Sequence, residues 1–157
     1  MTQRKNHLAW MSCAILALGC TNPEGVDYDG VILPAVDMHL HTGEWSMVPP
    51  MTHTHLAERF PFPLSLVPGS LAESSLSADG VLKQLDDAGI AIGLILAVYA
   101  PHSVGISTNE YVLSQVEQAP DRLYGLASLR VDQWKEDEEA ELAILSDMLD
   151  HPSMIGI

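Results

Sequence analysis

The chain has 157 residues, 47% of them apolar, and sets 7 Lys and Arg against 21 Asp and Glu for a formal net charge of −14. That length and apolar content support one ordinary domain with a buried core and exclude a disordered chain. The acidity argues against nucleic acid as a partner and serves solubility.

In chain order, Arg4 and Lys5 precede an uncharged apolar run from Leu8 to Leu18 that closes on Gly19 and Cys20. This pattern is a secretory signal, and the run is too short to span a bilayer as a permanent helix. Leu16-Ala17-Leu18-Gly19-Cys20 resembles a bacterial lipobox, which implies cleavage before Cys20 and lipidation of its thiol. Thr21, rather than Asp, follows the cysteine, which implies sorting to the outer membrane, the domain facing the periplasm. The chain is then anchored to the membrane and does not span it. With residues 1–19 removed, five basic residues face 21 acidic ones, a net charge of −16. Cys13 leaves with the signal and Cys20 carries lipid, so no disulfide is expected.

Residues 20–30 lack periodicity and suit a tether, so the domain is expected over residues 31–157. Val31 to Leu33 and Ala35 to His41 read as the first strand. Residues 44–75 hold five prolines and read as a long functional loop, with a brief helical stretch at 52–59. Ser77 can cap a helix over 78–88 that Gly89 stops, and Ile90 to Val98 is a continuous apolar run expected of a strand buried on both faces. Asn109 can cap a helix over 110–119, and 123–129 reads as a third strand. A helix over about 133–149 begins in an acidic run that includes Glu138, Glu139 and Glu141, expected to be a solvated face, and 153–157 reads as a fourth strand.

Strand and helix alternate throughout, so the expected class is α/β with a parallel sheet, the first half of a (β/α)8 barrel, with an open doubly wound sheet as the other candidate. Glycine-rich phosphate loops, a Gly-x-Ser-x-Gly elbow and Cys-x-x-Cys pairs are all missing from the sequence. In Asp37-Met38-His39-Leu40-His41, strict alternation puts Asp37, His39 and His41 on one face. Two imidazoles there are a bidentate start for Zn²⁺ or another divalent metal, with Asp37 able to orient a ligand. Seven histidines in 157 residues give about 0.3 His-x-His pairs by chance, so the spacing alone is weak. Its place at the C-terminal end of the first parallel strand, where a barrel builds its active site, strengthens it. His102 follows the second strand, in a loop expected to look into the site, and is a candidate pocket residue. His53 and His55 are expected to diverge on a helix, Trp45 and Trp134 to pack, and His151 to be exposed.

Val36-Asp37-Met38-His39-Leu40-His41 resembles the Asp-x-His-x-His opening of the amidohydrolase superfamily. Asn109 to Val112 and Ala119 to Leu129 resemble the second helix and third strand of its amidohydrolase-2 branch. The resemblance spans about residues 32–157. It implies a barrel enzyme that hydrolyses amides, esters or lactones of small molecules, or decarboxylates aromatic acids, with a divalent metal held by His39, His41, a fifth-strand histidine and an eighth-strand aspartate. The aspartate serves there as general base. Neither later ligand lies within the four expected strands, so the chain by itself is expected to be inactive and unstable as a monomer. Two alternatives are a non-catalytic metal-binding envelope lipoprotein and a PHP-type metallophosphoesterase. The latter also opens Asp-x-His-x-His but continues to a Ser-Asp-Gly that is missing at Gly43 to Met47.

Overall fold

The structure is a computed structural model that describes residues 25–59, 66–131 and 133–157. The signal over residues 1–19, Cys20 and the start of the tether lie outside the described residues. The tether's end does not stay irregular. Val26–Tyr28 (β1) pairs antiparallel with Val31–Leu33 (β2) across a turn in which Asp29 and Gly30 both take positive φ. The side chain of Asp27 accepts from the Gly30 amide at 2.8 Å and closes that turn. Val31 to Leu33 therefore belongs to a separate hairpin and not to the first sheet strand.

The main sheet holds Val36–Leu40 (β3), Ile92–Leu96 (β4), Leu123–Leu126 (β7) and Met154–Gly156 (β8), all parallel and in sequential order. Between them run Ala78–Ala88 (α3), Asn109–Val116 (α4) and Glu138–Leu149 (α5). One cluster of buried side chains joins Ala78, Val81 and Leu85 of α3, Val112 and Val116 of α4 and Leu145 of α5 to Ile95, Leu123 and Met154 of the sheet. All three helices thus lie on one face. A doubly wound sheet covers both faces with helices and reverses its strand order, whereas sequential order with single-sided covering is the winding of a (β/α)8 barrel. The fold is α/β, a parallel sheet arranged as in the first half of such a barrel.

Gly93 and Gly125 let the helices come close, because a Cβ on Gly93 would collide with Leu40 and Leu85, and one on Gly125 with Met154 and Val112. The same contacts define the faces. Gly93 and Ile95 look toward the helices, while Leu94 and Leu96 look to the helix-free side. The outer edges of the sheet, β3 and β8, carry exposed apolar side chains, with Met38 61% and Ile155 53% exposed. Neither edge has a further strand among the described residues.

The proline-rich stretch is more ordered than a loop. A 3-10 turn at Trp45–Met47 leads to Pro50–Arg59 (α1) and Pro68–Leu76 (α2). Both helices start on a proline, whose missing amide costs nothing in the first turn and whose fixed φ suits it. Composition suggested breakers where prolines act as starters. The apolar run after β4 also hides a second hairpin, Val98–Ala100 (β5) against Gly105–Ser107 (β6).

Ser77 caps α3 by accepting from the Gly80 amide, and Gly89 ends it in the left-handed region at φ 70°. Thr108, and not Asn109, caps α4, accepting from the Tyr111 amide at 3.1 Å. Asn109 is instead buried and clasps Ser128, donating to its carbonyl at 3.0 Å and accepting from its amide at 2.8 Å, while its own amide donates to the Tyr99 hydroxyl. Asp137 caps α5. The acidic run is not wholly solvated, because Glu141 is buried and forms a bidentate pair with Arg130. The hydrogen bonds from Arg130 hold its carboxyl below the usual range. Asn109→Ala removes both clasps and strands the Ser128 backbone, a loss of about 2–4 kcal/mol. Urea unfolding should show it, and a loss under about 1 kcal/mol would mean that the clasp is dispensable.

Candidate functional site

The sheet register builds the site. Asp37 pairs with Gly93 and Leu40 with Ile95, so Met38 and His39 together stand against Leu94 alone. That is a β-bulge at the end of an edge strand, where bulges re-aim side chains. The bulge breaks strict alternation. Asp37 and Leu40 share the helix-covered face of their partners, whereas His39 and His41, on either side of Leu40, turn to the helix-free side. Asp37 therefore does not share the histidines' face. Its carboxylate accepts from the His39 backbone amide at 2.9 Å, satisfying a donor in the stretch where the ladder is interrupted. It acts on the main chain that carries His39 and not on an imidazole.

The bulge brings the two Nε2 atoms 3.1 Å apart, with ring centroids at 4.9 Å and ring planes at 86°. Two nitrogens about 2.0–2.1 Å from a tetrahedral ion stand about 3.3 Å from each other, so this spacing fits a shared divalent ion. Burial, and then the neighbouring His39, hold the His41 imidazole below its ordinary pKa, against a hydrogen bond with the Leu96 backbone that raises it. The neutral imidazole is the form that ligates metal. No cluster of three or more His, Cys, Asp or Glu able to hold a metal occurs among the described residues.

His41 lies between two cavities. One, of about 200 Å³, runs from His41, Thr42 and Glu44 to Val98 and Ser107 of the second hairpin. The other, of about 230 Å³, is bounded by His39, His41, Ser75 and Gln84. The hydroxyls of Thr42 and Ser107 are buried without a hydrogen-bond partner among the described residues. The sequence singles out neither as a site residue, because lone hydroxyl residues carry no spacing signal.

The remaining histidines are spread out. His102 is exposed in the turn between β5 and β6 and lines neither cavity. His53 stacks on Trp45 at 4.1 Å, and its Nε2 lies 2.8 Å from the Trp45 carbonyl. That pair anchors α1 to the 3-10 turn, while His55 is exposed on the same helix. His151 is only part-exposed, with its Nε2 3.1 Å from Glu117.

No family model and no curated protein matches the chain. Among solved structures, the chain is similar to a probable 2-pyrone-4,6-dicarboxylic acid hydrolase from Acinetobacter baumannii, crystallised with citric acid bound. The two are 16% identical with a TM-score of 0.47, over 79% of this chain and 36% of that one. The chain thus spans 36% of that protein's length, and a likeness of this size leaves function to be argued from the residues themselves.

Because Asp37 fixes the His39 backbone, Asp37→Ala should weaken zinc binding by about 10-fold, within the range for ligand-supporting groups. Asp37→Asn keeps an acceptor oxygen and should bind as the parent does. Calorimetric titration separates the two, and equal affinities for all three proteins would remove Asp37 from the site.

Proposed function

We propose that His39 and His41 hold a divalent metal, zinc by the character of the donors, and that the chain belongs to a metal-dependent hydrolase of the amidohydrolase type acting on a small amide, ester or lactone. The observation that carries this reading is the 3.1 Å approach of two Nε2 atoms at the C-terminal end of the first strand of the parallel sheet. In barrels of this winding that end is where chemistry is placed. When bound there, such an ion supplies Lewis acidity toward a carbonyl and makes a water more acidic. The chain's own residues set the stage. Asp37 fixes the backbone of His39, the bulge aims both rings to one side, and the cavity beside His41 offers a walled space for substrate. The resemblance of Asp37 to His41 to the amidohydrolase opening supports the same reading, and there a further histidine and an aspartate general base complete the site.

The test is the His39→Ala, His41→Ala double variant. Zinc content should fall from near one ion per chain to background, with far-ultraviolet circular dichroism unchanged. Unchanged zinc content would sink the assignment.

We further propose lipid anchoring at Cys20, in the cell envelope, on the strength of Leu16 to Cys20. Cys20→Ser should block globomycin-sensitive processing and move the protein out of the membrane fraction. A Ser variant that is processed and fractionates as the parent does would contradict the anchor.

A further inference from the structure

All six paired residues of the β1–β2 hairpin are exposed, and five of them are apolar or aromatic. The register sorts them. Val26 stands opposite Leu33 and Tyr28 opposite Val31, so these four side chains leave one face of the ribbon, while Asp27 and Ile32 leave the other. Val26 is 48% exposed, Leu33 47%, Tyr28 68% and Val31 58%. Asp27 is spent on the Gly30 amide in the turn, so the apolar face carries no charge of its own. A contiguous apolar face on so acidic a chain marks a contact surface.

The position of the hairpin says what it contacts. Gly25 lies against Gly89 at the end of α3, and the Ala35 carbonyl accepts from the Ala91 amide just before β4, so the hairpin sits at the N-terminal end of the parallel sheet. His39 and His41 lie at the other end, the length of β3 away, about 16 Å. Cys20 precedes Val26 by six residues, a span that reaches at most about 22 Å when fully extended. A lipid on Cys20 therefore keeps the apolar face within that distance of the bilayer. Tethering makes the lipid surface far more concentrated around the hairpin than any dissolved partner. A second copy has also to approach against like charge, because each chain is strongly acidic. Tyr28 suits the boundary as well, since tyrosine places an apolar ring and a polar tip at the headgroup level.

We infer that the face made by Val26, Tyr28, Val31 and Leu33 lies on a lipid surface, at the boundary between headgroups and acyl chains, and that this contact turns the C-terminal end of the sheet, with His39 and His41, away from the membrane. The inference rests on the lipid-anchor reading for its tether and is independent of the metal site. Four side chains orient the domain without retaining it, so a chain that lacks the lipid still leaves the membrane.

The test uses the protein purified from membranes and reconstituted into phosphatidylcholine vesicles doped with a phosphatidylcholine that carries a diazirine in its acyl chain. After illumination, adducts are mapped by peptide mass spectrometry. Residues 26–33 should carry at least about ten times the adducts found at residues 101–104, the turn beyond the opposite end of the sheet. Tyr28→Ser with Val31→Ser should bring the two segments level, with the lipid on Cys20 and the thermal midpoint unchanged, because neither side chain belongs to the core. Adducts in the parent as frequent at 101–104 as at 26–33 would overturn the inference. A midpoint lowered by more than about 5 °C in the serine variant would overturn it too, by showing that the face packs within the protein. So would a Cys20→Ser protein that sediments as a dimer and becomes a monomer on adding the two serines, which would give the face to a second copy. The N-terminal peptide mass separates the two readings. An unlipidated Cys20 with adducts at 26–33 strikes the anchor and leaves the hairpin contact standing, whereas a lipidated Cys20 without adducts there strikes the hairpin contact alone.

Discussion

Single-sided packing of α3, α4 and α5 on a parallel sheet is the constraint from which the remaining features follow. Because Leu85, Val112 and Leu145 share one cluster with Ile95, Leu123 and Met154, the helix layer buries one face and leaves the other to the strand ends. Hydrophobic burial of this kind is worth about 1.5–3 kcal/mol for each large side chain, so the cluster as a whole outweighs any single polar contact near the site. The sheet can therefore carry a bulge and two unpaired hydroxyls at its C-terminal end without losing its register further down.

The bulge in β3 connects that scaffold to chemistry. Leu40 stays on the helix side, packed over Gly93, and this fixes His39 and His41 on the opposite side. Asp37 satisfies the His39 amide where the ladder is interrupted, so the main chain that carries the His39 ring is held in place. Rigid elements place ligands more precisely than loops do. A second hairpin, β5 with β6, then brings Ser107 to the same end of the sheet as Thr42 and turns an open strand end into a cavity.

Much of this was legible in the sequence. The Ser77 cap, the Gly89 stop, the apolar run of β4 and the alternation of strands with helices follow from local chemistry that tertiary packing does not override. The His-x-His pair at the end of a strand was legible for the same reason. Other features depend on partners distant in sequence. Asp37 left the histidines' face because of a bulge that exists only in register against β4. Glu141 is buried because Arg130, eleven residues earlier, reaches it across the loop after β7. Asn109 gave up the capping role to Thr108 because Ser128 offers both a donor and an acceptor to its side chain. Pro50 and Pro68 misled by composition, since a proline that breaks a helix interior also begins a helix well. The exposed His102 shows the converse, a suggestive position in sequence that the β5–β6 turn carries away from both cavities.

The central claim is that one ion is shared by two imidazoles at the bulge, and zinc X-ray absorption on the metal-loaded full chain tests it most directly. The account predicts nitrogen scatterers at about 2.0–2.1 Å with the outer-shell pattern of two imidazole rings, reduced to one ring in His41→Ala. A spectrum free of imidazole scattering, or one that His41→Ala leaves unchanged, would contradict it.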